Sequence, residues 1–438
     1  MEQQQKARSG AKQGQGQREK TPSTGESKQG QRDKASGGGG EASKQGQQGQ
    51  KDKSGPSHVG ASESSSTSLV PRLALFDHLP RKVNLGDVNS IEETEGTPLH
   101  PATIKLGLLY RNGVIQEDDD RVAALIAAFC NVIEDYKTPP NKNFSWDLDK
   151  HLGRQVQHLI NCRQHCIGMG NLIRYIRYAI SHTPPDMNEA DAKGKLISLL
   201  HTFLEERIIF ARDSISRVCT SAIQDGDVIV TYGSSPLVRY ILLSMAAIKK
   251  FRLVIIDSRP LKSGLKTLKT LSEKVSCVYT PLSGAAAAMR EATRVIIGAT
   301  ALLSNGAVLA AAGTAMVASL AKAQRVPVIV AAESYKFSEK NQLDAIVFNE
   351  LGNELEIADP SSISTDPNNM EQQQHQKNVF LGSAESLKPS PFQVINLRYD
   401  LTPISNISVV ATESGLIPPT SIPCIIREMR LDVGINDL

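Results

Sequence analysis

Residues 294–335 of this 438-residue chain, RVIIGATALLSNGAVLAAAGTAMVASLAKAQRVPVIVAAESY, leave few choices of architecture. Residues 294–297 are a short β-branched run, 298–306 are small and polar, 307–324 read at helical spacing, and 326–331 form a second β-rich run. Strand, glycine-containing loop, helix and strand make one βαβ unit, because a crossover between parallel strands needs about a dozen residues or more. The loop ahead of the expected helix carries Ser304, Asn305 and Gly306. Asn-Gly favours a turn, and the first amides of a helix attract anions. Residues 295–321 hold no charge, which is long enough for a membrane span. The central Asn305-Gly306 and the diluting Ala, Gly, Ser and Thr argue instead for a buried strand and helix.

The flanking sequence extends the same grammar. Strands are expected at 228–231, 252–257 and 276–279, and helices at 237–249, 261–271 and 283–292. Strands alternating with helices predict a Rossmann-like, doubly wound parallel sheet over 223–438. A Gln-rich polar insertion interrupts it at about 366–391, and strand-like pieces follow at 394–399 and 421–427. Upstream, 101–222 reads as a helical domain with helices at 121–137, 148–161 and 166–181. Residues 188–222 form one long helix or two abutting ones. Val122, Leu125, Ile126, Phe129, Val132 and Ile133 share one face of the first of these helices. Residues 69–100 are a connector rich in Pro and charge. Residues 1–68, almost devoid of large apolar side chains, form a disordered tail, because they bury too little to offset ordering entropy. The fold class is therefore α/β, with a helical domain ahead of the sheet.

Composition excludes several functions. A net charge of +3 without a basic block gives no footprint for specific nucleic-acid binding. The residues after Met1 lack the apolar run of a secretory signal, and the six cysteines lie scattered in apolar surroundings, as expected for the reducing cytosol. No dinucleotide or P-loop glycine motif occurs, so no cofactor is indicated. His158, Cys162 and Cys166 stand at i, i+4 and i+8, beside His165. No second ligand cluster accompanies them, and ordinary helical packing explains them better than a metal.

In doubly wound sheets, ligands lie beyond the carboxyl ends of the strands. Three loops end there, at 232–236, 257–260 and 299–306. They offer the Gly233, Ser234 and Ser235 amides and hydroxyls, the Arg259 guanidinium and the Asn305-Gly306 turn, a set suited to a phosphate. No Cys, His or Glu stands at these strand ends.

The motifs TYGSS (231–235), DSRP (257–260), GATALLSNGAV (298–308), GTAMVA (313–318), ESYKF (333–337), FNEL (348–351), YDLTP (399–403) and TESGLIPPTSIP (412–423) occur in this order. As a set they resemble the regulatory subunits of eukaryotic translation initiation factor 2B. DSRP, NEL and LVPRLALFDHLP (69–80) lean toward the delta branch. That family is similar in fold to isomerases of methylthioribose-1-phosphate and ribose-1,5-bisphosphate.

The resemblance carries expectations of its own. Where the isomerases place a catalytic cysteine and aspartate, this chain has Gly233 and Thr300, neither of which can shuttle a proton near neutrality. Their NGDVANK loop loses its acid, amide and lysine here. The resemblance thus implies a non-catalytic regulatory and scaffold subunit, partnered by alpha, beta, gamma and epsilon subunits. The complex exchanges guanine nucleotide on initiation factor 2, and this subunit helps sense that factor's phosphorylated alpha subunit. Glu206 and Phe210, four residues apart on the long helix, are the expected partner surface. An isomerase with displaced catalytic residues is the alternative.

Overall fold

A computed structural model describes residues 99–353, 355–358 and 394–432, together with Phe76, His78 and Leu79. The expected tail and the 366–391 insertion lie outside the described residues.

Helices come first. α1 (Pro101–Arg111) has proline in its first turn, where the missing N–H costs nothing, and the His100 ring accepts from the Ala102 amide. The periodicity of the sequence does not single out this helix. α2 (Asp118–Asp135) opens on three aspartates at its positive end. α3 (Phe144–Cys162) is capped by Asn143, whose side chain accepts from the Ser145 and Trp146 amides. α4 (Ile167–Ser181) and α5 (Glu189–Phe203) follow. A π-helical turn, Leu204–Phe210, joins α5 to α6 (Ala211–Ala222), so the chain stays helical across the whole stretch. The six apolar residues expected on one face of α2 are all buried, in a core shared with Leu148, Leu172, Leu196 and Phe203.

The sheet begins at β1 (Val228–Tyr232). Then come α7 (Pro236–Ala246), β2 (Arg252–Asp257), α8 (Gly264–Leu271), β3 (Ser276–Pro281), α9 (Ala285–Glu291) and β4 (Arg294–Gly298). β5 (Ala301–Leu303), β6 (Val308–Ala311), α10 (Thr314–Ala323), β7 (Val328–Ala331) and β8 (Phe337–Ser338) complete the central stretch. The short α11 (Leu355–Ala358), β9 (Tyr399–Thr402), β10 (Val409–Thr412), β11 (Gly415–Ile417) and α12 (Ile422–Asp432) end the described chain.

Seven strands form one sheet in the order β11-β10-β7-β4-β1-β2-β3, parallel except for β11. Alternate residues of β1 and β2 feed two cores. Val230, Val254 and Ile256 face α9, α10 and α12, whereas Ile229, Leu253 and Ile255 face α6, α7 and α8. α6 thus serves the sheet through Ile215 and Cys219 while continuing the helical rod, within one compact unit.

Three expectations need correction. Residues 307–324 are not one helix. Leu303-Ser-Asn-Gly306 is a tight turn, with the Gly306 amide donating to Leu303 O at 2.9 Å and Gly306 at φ +77°. It pairs β5 with β6 antiparallel in a second, four-stranded sheet, β8-β5-β6-β9. A short turn closed by a left-handed glycine is a favoured hairpin connection, and this local chemistry beats the alanine-rich helical pattern. The helix starts only at Thr314, after Gly313 turns the backbone at φ +109°. Residues 421–427 are also helical rather than strand-like. Ile422 and Ile426 are buried four residues apart, a helical spacing. The strand expected at 394–399 begins only at Tyr399.

Candidate functional site

β4 and β2 lie on opposite sides of β1, so the chain's winding reverses there. Such a switch point opens a crevice above the carboxyl ends of the strands. A cavity of about 710 Å³ occupies it. One wall is the sheet side: Tyr232, Ser234 and Ser235 after β1, and Ile297 to Thr300 at the end of β4. The other comes from the helices: Tyr110 on α1, Glu117 to Asp119 at the start of α2, and Cys162 to Gln164 at the end of α3. Gly298 permits the close approach of the two sheet loops, since a Cβ there would stand 2.4 Å from the Ser235 hydroxyl. Ser235 caps α7.

The lining is rich in charge, yet its cations are engaged. Arg163 forks onto Glu350 at 2.7 and 3.1 Å. Lys266 stands 3.2 Å from Glu117, and Arg239 grips the same carboxylate with both nitrogens at 3.0 Å. Lys336 meets Asp119 at 2.6 Å, and Arg398 meets Glu356 at 2.8 Å. Burial works against ionisation of Glu117 and Glu350, but Arg239 with Lys266, and Arg163, outweigh it and hold both carboxyls below their usual range. A phosphate entering this cavity would have to compete with a carboxylate for each lining cation. The Cys162 thiol, pushed up by burial, is a poor nucleophile.

Of the residues expected to hold a phosphate, Ser234 and Ser235 line the cavity. The Ser234 hydroxyl is bound by Arg239. Gly233 turns the chain just behind them at φ +62°. Arg259 is exposed and does not line the cavity. Asn305 and Gly306 lie in the hairpin turn, where Asn305 donates to Gln342 O and accepts from the Ala307 amide. That turn braces the chain at 339–342 rather than facing a ligand. The helix start that the sequence offers to an anion is already occupied from within. Asp400 accepts the Gly313 and Ala315 amides at 2.7 and 2.9 Å.

His158 Nε2 lies 3.7 Å from Cys162 Sγ, but α3 ends at Cys162 and Cys166 stands just ahead of α4, so the three do not share one helix face. Among the described residues, no group of three or more potential ligands is placed to hold a metal. Likewise no described helix is long and apolar enough to cross a membrane.

Glu206 and Phe210 both lie exposed on the π turn, Phe210 at 60% of its surface, with Ile209 beside it. Sequence reasoning passed over Asp119, Glu333, Lys336 and Glu350 as site residues. Their signal was charge set against apolar sequence, as where Glu333 and Lys336 directly follow the buried run 328–332.

A family model described as the initiation factor 2 subunit family matches residues 115–419. The chain belongs to that family. The translation initiation factor eIF2B subunit delta of Dictyostelium discoideum is 38% identical over 403 residues, covering 90% of this chain and 63% of that protein. This chain therefore spans less than two thirds of that relative's length. The ribose 1,5-bisphosphate isomerase of Pyrococcus furiosus is 29% identical, over 65% of this chain and 82% of the isomerase. Among solved structures, the tetrameric eIF2B-beta2-delta2 complex from C. thermophilum contains a chain similar at TM-score 0.65 and 27% identity, covering 78% of this chain and 98% of that one. The family match spans most of the elements that wall the crevice described above, from Gln116 to Tyr399.

Proposed function

We propose that this chain is a non-catalytic regulatory and scaffold subunit of the eIF2B complex. It works in the cytosol with alpha, beta, gamma and epsilon subunits, and the complex exchanges guanine nucleotide on initiation factor 2. The observation that carries this reading is the delta likeness across 90% of the chain. The crevice agrees with it: Gly233 and Thr300 stand at the strand ends, and the lining acids and bases are committed to one another. A proton-shuttling isomerase needs an uncommitted group with a tunable pKa at that place.

Within this reading, the Glu206–Phe210 turn meets initiation factor 2. An exposed acid beside an exposed aromatic pairs steering with burial, the usual make-up of a recognition patch. The tagged chain should co-purify with the other subunits, and Glu206→Lys should leave assembly and basal exchange intact. The variant should weaken inhibition by the phosphorylated factor. Full sensitivity in the variant would remove the sensing role from this face. Isomerase turnover by the purified chain with ribose 1,5-bisphosphate would overturn the non-catalytic reading.

A further inference from the structure

Four charged side chains meet in the interior where helices and sheet join. Lys336 Nζ stands 2.6 Å from Asp119 Oδ1 and 2.7 Å from Glu333 Oε2, and all three side chains are at most 4% exposed. The Tyr335 hydroxyl donates to the same Asp119 oxygen at 2.8 Å. Arg212 completes the group and balances its charge, but loosely. Its Nη2 is 3.4 Å from Asp119 Oδ2, and its Nε is 3.8 Å from Glu333 Oε1, too far for a hydrogen bond. Arg212 Nε and Glu333 Oε1 are both buried without a hydrogen-bond partner. Unmade charged hydrogen bonds in the interior are costly, and a small shift that forked Arg212 onto Glu333 would make the two that are missing here.

The position of Arg212 gives that slack a consequence. It follows the π turn by two residues, and Asp119 and Lys336 form part of the crevice wall. A single side chain therefore connects the crevice to the exposed Glu206–Phe210 turn. π turns store an unfavourable register that neighbouring packing must hold in place. We propose that Arg212 couples the two regions: a change in charge at Asp119 or Lys336, the wall residues of its own cluster, moves it between Asp119 and Glu333, and the order of the 204–210 turn moves with it. Its regulatory meaning rests on the reading of that turn as a partner surface. The coupling itself does not.

Amide hydrogen exchange on the full chain tests this. Asp119→Asn weakens the grip on Arg212 from one side, and exchange across 204–212 should change by about tenfold, the size expected for one charged hydrogen bond gained or lost. Exchange in β1 and β2 should stay the same. Glu117→Gln alters another crevice carboxylate, one bound to Arg239 and Lys266, and should leave 204–212 unmoved. Should Asp119→Asn fail to fold, Tyr335→Phe perturbs the same carboxylate more gently and should give the same pattern. Unchanged exchange in the folded variant, or an equal response to Glu117→Gln, overturns the coupling. Failure of Glu206→Lys to affect inhibition would instead remove only the partner reading.

Discussion

Asp400 holds the start of α10 by accepting two backbone amides, yet its other carboxylate oxygen is buried without a partner. Burial lifts its pKa from 3.8 to about 6, against the opposing pull of the Ala315 and Gly313 amides. The folded value thus exceeds the unfolded one. The group's contribution to stability is fully present below pH 3.8 and is lost as pH rises through about 6. A shift of this size makes ionised Asp400 cost the fold about 3 kcal/mol, of which about 1.3 kcal/mol is lost between pH 5 and pH 7. The Asp400→Asn variant keeps a side-chain acceptor for the two amides and cannot ionise. Urea unfolding of both proteins from pH 4.5 to 7.5 isolates the effect, because every other titrating group cancels in the difference. The variant should gain about 1 kcal/mol on the parent between pH 5 and pH 7. Parallel pH profiles would refute the reasoning and mean that the two amides hold the carboxylate ionised throughout.

Three further outcomes follow from the same geometry. Gly313→Ala forces a side chain onto φ +109°, with its Cβ 2.1 Å from the Tyr232 hydroxyl, and should lower stability by at least about 2 kcal/mol in denaturant unfolding. Glu350→Gln leaves the Arg163 guanidinium without its bidentate partner and should cost about 3 kcal/mol by the same measurement, whereas a loss below about 1 kcal/mol would make the pair incidental. Ribose 1,5-bisphosphate and inorganic phosphate should leave the melting temperature unchanged, because each lining cation already faces a carboxylate; a clear shift that Arg259→Ala abolishes would restore the phosphate reading of the strand-end loops.

The sheet was legible because parallel strands buried on both faces read as unbroken apolar runs, and 252–257 was placed to the residue. The helical rod was legible through its period, and the π turn was not, since one extra residue per turn leaves an apolar face almost in step. The hairpin at 301–311 was missed for a definite reason. Alanine and valine satisfy both periods, and only the Asn305-Gly306 turn and Gly313 marked the strand ends. The candidate site was half legible. The crevice position follows from sheet topology, and Ser234 and Ser235 were found by it. Arg259 and Asn305-Gly306 were grouped with them because loop order along the sequence does not say which way a loop folds. The ion pairs could not be read at all, since Arg163 and Glu350 lie 187 residues apart.

Those pairs bear on why a crevice whose lining acids and bases are committed to one another should keep so much charge. Arg163 with Glu350, Glu117 with Arg239, and Asp119 with Lys336 each join a helical segment to the α/β side of the cavity. Such pairs gain little net stability over apolar residues of the same volume, because desolvation offsets their attraction. They do fix geometry, since a carboxylate and a guanidinium accept few mutual arrangements. An apolar seam of equal area would hold the two sides together while letting them slide. Charged struts around an open cavity restrict them to the few arrangements that keep each pair's geometry. Under the proposed reading of the Glu206–Phe210 turn as a partner surface, that restriction has a use, because a surface delivered at one of a few angles can be read by a partner. On this argument, removing the Arg163–Glu350 pair should disturb the orientation of the helices before it disturbs either core.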